Sequence, residues 1–166
     1  MTRLTGWVGC VLVLLYGTCA LAAEPPSSLT NKRGTPTTVT ADRLEVNRKE
    51  GHAIYTGNVV AKTVDFTVTA DRMDFYFDEK TEAVERMVAV GNVEISRSDG
   101  SKAAADRATY YALHEKVVLE GQPRAWQEGN MVSGTRITLY FEEDRQVVEG
   151  DGVERVTAVI YPKRQP

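Results

Sequence analysis

Beyond Thr37, apolar and polar residues alternate through most of the chain, in short arms separated by turn-forming segments. Leu44 and Val46 form one apolar set, Met73, Phe75 and Phe77 a second, Ala108 and Tyr110 a third, and Ile137, Leu139 and Phe141 a fourth. A period of two in aliphatic and aromatic residues predicts strands. Each arm runs into a turn, such as the stretch NRKEG at residues 47–51 or FDEKT at residues 77–81, and returns in a second arm that straddles a glycine. The second arms carry Tyr55, Val59 and Ala61, then Ala89, Val93 and Ile95, then Leu119, Pro123 and Ala125. No helix is convincing. Residues 82–90 fit one helical turn, but Val84, Val88 and Val90 also fit a strand after a turn.

The arms are copies of one unit. The hexamer TVTADR stands at residues 38–43 and again at 67–72; Ala105, Asp106 and Arg107 form a third marker, and Gly134, Thr135 and Arg136 a degenerate fourth. The steps between them are 29, 35 and 29 residues. A second marker follows each first one: Gly57 and Asn58, Gly91 and Asn92, Gly121 and Gln122, Gly150 and Asp151. Two markers in fixed phase, repeated four times, make an internal repeat. The apolar parity slips by one at the first marker, from Val39 and Ala41 to Leu44 and Val46, and from Val68 and Ala70 to Met73 and Phe75. A slip of one residue predicts a β-bulge, and a bulge bends its strand. The expected fold is therefore all-β: an antiparallel, V-shaped repeat sheet bent at every marker. Asp and Arg would lie outside the core as a solvated or locally hydrogen-bonded pair.

The ends change the picture of where the protein works. Arg3, the apolar run from Trp7, and the small residues through Ala23 have the three-part pattern of a secretory signal peptide. Residues 1–23 read as that leader, 24–36 as a flexible lead-in, 37–161 as one domain of four repeats, and 162–166 as a tail. Both cysteines, Cys10 and Cys19, fall in the leader, so the mature chain has no thiol for a disulfide or a metal. A lipoprotein signal at Cys19 competes with this reading, although Tyr16 stands where an aliphatic residue is wanted. The formal net charge is −3, which gives no support to nucleic-acid binding. No catalytic, metal or cofactor constellation is present: His52 and His114 read as surface imidazoles, and no nucleophile elbow or phosphate loop occurs. Trp126 reads as an interior anchor or a residue of a groove mouth.

These repeats, an Ala-Asp-Arg marker, a strand, a turn and then Gly-Asn-Val, resemble the OstA-like family of periplasmic lipopolysaccharide-transport proteins. The likeness covers residues 37–152, and departs at Gly121, Gln122 and Pro123, at Gly134, and at Gly150, Asp151 and Gly152. It implies a twisted antiparallel β-jellyroll with open ends and an apolar interior that binds lipopolysaccharide acyl chains. It also implies β-strand addition to an LptC-like inner-membrane partner and an LptD-like outer-membrane partner, and head-to-tail self-association. On the residues, the groove candidates are Leu44, Val46, Val59, Met73, Phe75, Phe77, Val93, Ile95, Ile137, Leu139 and Phe141. The same positions would also form the closed core of any β-sandwich, and the residues alone leave both readings open. The edge candidates are Val39 and Ala41 at one end, and Val156, Ala158 and Ile160, within the strand-like residues 154–161, at the other. A structural or adhesive β-repeat protein that polymerises through its edges without lipid is the alternative.

Overall fold

In a computed structural model, residues 29–30 and 36–162 are described; the leader, most of the lead-in and most of the tail lie outside them. Thirteen strands join in one antiparallel sheet. In chain order they are β1 (Leu29–Thr30), β2 (Pro36–Thr40), β3 (Arg43–Asn47), β4 (His52–Lys62), β5 (Phe66–Phe77), β6 (Val84–Arg97) and β7 (Lys102–Tyr111). Then follow β8 (Lys116–Glu120), β9 (Arg124–Gln127), β10 (Asn130–Ser133), β11 (Arg136–Tyr140), β12 (Arg145–Glu149) and β13 (Thr157–Val159). One 3-10 turn, Ala112–His114, joins β7 to β8. Residues 82–90 form the turn and first half of β6, not a helical turn.

Strands β4 to β7 are long because each serves two arms. Their halves nearer the turns at residues 48–51, 78–83 and 112–115 pair with β3 and β8, and the sheet continues through β11 to β12. Call this arm I. Their other halves pair with β2 and β9, continuing through β10 to β13. Call this arm II. Strand alternation then gives each arm one apolar face. In arm I, Leu44, Tyr55, Met73, Ala89, Ala108, Leu119, Ile137 and Val148 lie side by side in register across eight strands. In arm II the corresponding row is Val39, Ala61, Val68, Ile95, Ala103, Ala125, Val132 and Ala158. Residues of both rows join one buried cluster. The core is therefore the space between the arms.

The bend explains the repeat. Within each of the first three units the two markers face each other across the hairpin. Asn58 Nδ2 donates to Asp42 Oδ2, and Asn92 Nδ2 to Asp71 Oδ2, each at 2.9 Å. The backbone N–H of Asp42 donates to the carbonyl of Gly57, and that of Asp106 to Gly121, each at 3.0 Å. Gly91 and Asn92 both take left-handed conformations, with φ of 78° and 48°. A Cβ on Gly91 would run into the Asp71 carboxylate. Glycine is needed there on both counts.

Two expectations change here. The parity slip at the Asp-Arg marker is real, since Asp71 and Arg72 both face outward between Ala70 and Met73. The extra residue in the pairing, however, sits on the other marker: Gly91 and Asn92 oppose the single residue Asp106 between Val90 and Val93. The bulge belongs to Gly-Asn, because two successive left-handed residues take up more chain than the extended strand opposite. Nor do Asp and Arg pair with each other. Asp71 binds Asn92, whereas Arg72 reaches Asp74. The fourth unit also departs from the pattern. Gly150 begins an excursion over residues 150–156, with Asp151 Oδ1 accepting from the N–H groups of Val153 and Glu154. The last strand is consequently shorter than residues 154–161 and comprises only Thr157–Val159.

Candidate functional site: the apolar interior and the sheet edges

The groove candidates fall into three classes of access. Val59, Met73, Phe75, Val93 and Ile137 are buried, with Val59, Met73 and Ile137 at 0 % exposure. Phe77, Ile95 and Leu139 are partly buried against that cluster. Leu44, Val46 and Phe141 are exposed, at 51, 55 and 45 %. The middle of the interior is thus a packed core, and the accessible members of the groove set lie at the β3 edge and at the lip of arm I. The closed and open readings of the sequence each describe a different part of the same face.

Small residues set the depth of the packed part. Ala53, Ala61, Ala70, Ala89, Ala103, Ala105 and Ala108 are all buried on this face. The sequence places Ala61, Ala70, Ala89 and Ala108 in its inward apolar sets, but the groove candidates drawn from it include no alanine. The signal was present as alanine recurring at inward positions, where a short side chain lets two sheets approach. At the mouth, the Arg97 guanidinium of arm II stands 6.0 Å from the centre of the Phe141 ring of arm I.

The edges differ from expectation in detail. Strand β2 carries Val39 and is flanked by β1 over Thr37 and Pro36. Ala41 lies in the break between β2 and β3, outside any strand. At the other end, Ala158 is in β13, but Val156 and Ile160 flank it outside the strand. Among the described residues, β3 pairs only with β4, β12 only with β11, and β13 only with β10. Each arm therefore has its own terminal strand at the C-terminal end, β12 in arm I and β13 in arm II. The sequence reading missed β12 because it sought a single edge near the chain end, and only the excursion at 150–156 separates the two.

The outer face of arm I holds a buried charge. Asp74, 6 % exposed, accepts from Arg72 Nε at 2.8 Å and Nη2 at 2.7 Å. His52 Nε2 lies 3.1 Å from the same carboxylate. The Arg72 hydrogen bonds hold the Asp74 carboxyl below the usual carboxylate range, against the opposing effect of burial. His52 is therefore not a bare surface imidazole; it also stacks on Tyr76 with ring centres 4.4 Å apart. His114 is exposed in the 3-10 turn. Trp126 pairs with Lys102 and Met131, on the face opposite inward Ala125 and Val132. It faces outward, so it is neither an interior anchor nor a groove-mouth residue.

Three likenesses place this architecture. The family described as LptA/(LptD N-terminal domain) LPS transport protein matches residues 38–145, well over half of the chain. The lipopolysaccharide export system protein LptH of Pseudomonas aeruginosa is 29 % identical over 170 residues, covering 93 % of this chain and 95 % of LptH. The crystal structure of the same LptH, described as the LptA-homologous periplasmic component of the lipopolysaccharide transport device, superposes with a TM-score of 0.70. It is 24 % identical in that comparison, which covers 82 % of this chain and all of LptH, and it speaks for the fold. With the two-armed sheet, its apolar interior and the markers at each bend, this chain belongs to the LptA/(LptD N-terminal domain) family of lipopolysaccharide transport proteins.

Proposed function

We propose that this protein is a periplasmic bridge component that shields the acyl chains of lipopolysaccharide between its two arms on their way from the inner to the outer membrane. The observation that carries the proposal is the inner row from Leu44 to Val148, apolar from one sheet edge to the other. A closed β-sandwich has no need of apolar residues at its extreme edge, yet Leu44 and Val46 stand half-exposed on the terminal strand. A second sheet docked edge to edge would continue the row into the next molecule.

The energetics suit a carrier. Each buried methylene contributes about 0.8 kcal/mol, so about a dozen contribute about 10 kcal/mol. That stabilisation acts against the cost of separating the lips and part of the core. The alanines leave little apolar area to be uncovered when the arms part, and the marker pairs sit at the bend about which they would part. Acyl chains enter at the exposed lip beside Phe141 and spread towards Phe77, Leu139 and Ile95, while the sugars remain in water. The free edges suit strand addition to an LptC-like partner on one side and an LptD-like partner on the other, and to further copies head to tail.

Photo-cross-linkers at Leu44, Phe141 and Phe75, with outward Glu45 as control, test the reading in cells. Lipopolysaccharide adducts at Leu44 and Phe141 support it, and an adduct at buried Phe75 adds that the arms open. A folded protein that gives no adduct at any inward site, with its membrane partners present, returns the choice to an edge-polymerising structural repeat protein.

A further inference from the structure

The outer face of arm I carries a second ordered row that lipid carriage does not use. One residue in from the turns, His52, Tyr76, Arg86, Tyr111, Lys116, Tyr140 and Arg145 stand side by side in register on seven successive strands. Basic and aromatic residues alternate strictly. Each later basic residue is seated on the ring before it: Arg86 is 4.1 Å from the centre of Tyr76, Lys116 5.2 Å from Tyr111, and Arg145 4.0 Å from Tyr140. Strands lie about 4.8 Å apart, so Arg86, Lys116 and Arg145 stand about 10 Å apart along a line of about 19 Å, within a row of about 29 Å. Holding a cation on a ring fixes its position without neutralising it.

The surroundings select the occupant. Towards the bend the next row is Glu45, Ile54, Asp74, Val88, Thr109, Val118, Thr138 and Val147. Its two acids are already engaged, Glu45 by Arg43 and Asp74 by Arg72. Towards the tips, the turns carry Asp78, Glu79 and Glu82 on one side, and Glu142, Glu143 and Asp144 on the other, with Glu143 Oε2 2.6 Å from Arg145 Nε. The basic row is thus one side chain wide, with Arg86 and Lys116 at its centre and its two end members held by acids, His52 beside Asp74 and Arg145 on Glu143. A broad anionic surface such as a bilayer would meet the acidic turns. A narrow anionic chain would not. Aromatic residues between the cations suit the apolar faces of sugar rings.

We propose that this outer lip is a track for a linear anionic saccharide, the phosphorylated sugar portion of the glycolipid whose acyl chains lie between the arms. The assignment rests on the carrier reading above. The row lies one strand residue from the lip at Phe141, so a saccharide leaving the mouth reaches it by turning over the tip of arm I. The sugar would then be held along the bridge, where free diffusion would otherwise pull the chains out.

The test uses the exported chain and phosphorylated core oligosaccharide freed of acyl chains, with the dephosphorylated oligosaccharide and phosphatidylglycerol vesicles as comparisons. A fluorescent acyl probe reports the interior separately. The expected result is salt-sensitive binding of the phosphorylated sugar. It should weaken about tenfold in the double variant Arg86→Gln and Lys116→Gln, which removes two half-buried charges from the row. Acyl-probe binding should stay unchanged and the thermal melt cooperative, lowered only by loss of the two ring contacts, and the charge-keeping pair Arg86→Lys and Lys116→Arg should restore most of the affinity. No binding by the wild type, equal binding by the glutamine variant, equal binding of the dephosphorylated sugar, or binding to vesicles alone would each overturn the track. Failure of the acyl probe to bind would instead sink the carrier reading, while the saccharide titration still judges the row by itself.

Discussion

The contact between Gly91 and Asp71 makes the sharpest test of why the repeat exists. Alanine at position 91 meets two separate penalties. Its backbone must hold a φ of 78°, which costs an L-residue about 1.5 kcal/mol. Its Cβ also displaces the Asp71 carboxylate, whose Oδ2 accepts from Asn92 at 2.9 Å. Losing that hydrogen bond and crowding the bend adds about 1.5 kcal/mol. Gly91→Ala should therefore cost about 3 kcal/mol. Asp71→Ala should cost about 1 kcal/mol, for the exposed hydrogen bond alone. The double variant keeps the backbone penalty and the lost hydrogen bond but has no carboxylate to crowd, so it should cost about 2.5 kcal/mol, less than Gly91→Ala by itself and well below the sum of the single costs. Urea unfolding followed by Trp126 fluorescence measures all three, and about 3 kcal/mol shifts the midpoint by at least 1 M, given an m-value of about 1–3 kcal/mol/M. Single costs that add to within about 0.5 kcal/mol would prove this account wrong, because the glycine would then answer only to its own backbone and not to the aspartate.

Other positions give shorter tests. Met73→Ala, at a fully buried site, should cost about 2–5 kcal/mol in the same assay, whereas Leu44→Ala, half-exposed on the same row, should cost less than about 1 kcal/mol while weakening lipid adducts. Asp74→Asn should lose about 1–2 kcal/mol at neutral pH. The Asp74 pKa is lower in the folded protein than in the unfolded chain, so its contribution is complete above the unfolded value of about 4 and vanishes as pH falls through the folded one. Wild type and variant should accordingly converge in acid titrations, and a constant gap down to about pH 2 would contradict the assigned role. A photo-cross-linker at Val147 on β12 should capture a strand of another copy or of a membrane partner, and persistent failure to capture any protein in cells would remove β12 from the docking edges.

Much of this protein was legible in its sequence because strand geometry is local. A period of two, turn residues between arms and markers in fixed phase identify the strands and the four units without knowledge of any partner strand. The parity slip from Ala70 to Met73 likewise records the bend, since side-chain direction follows from the chain itself. Relations between strands were a different matter. The bulge belongs to Gly91 and Asn92 and not to Asp71 and Arg72, because a bulge is defined by how many residues face one residue opposite. The same holds for access. Met73 and Leu44 occupy one apolar row and look equivalent in sequence, yet one lies beneath the other arm and the other at the edge, so exposure depends on what covers a residue. The outer row shows this most clearly. Tyr76, Lys116 and Arg145 lie far apart in the chain with no motif among them, and only the pairing of seven strands sets them in line. Alternation and bend follow from each stretch of chain alone; register and coverage depend on contacts between distant segments, and so arise only when the strands pair and one arm folds over the other.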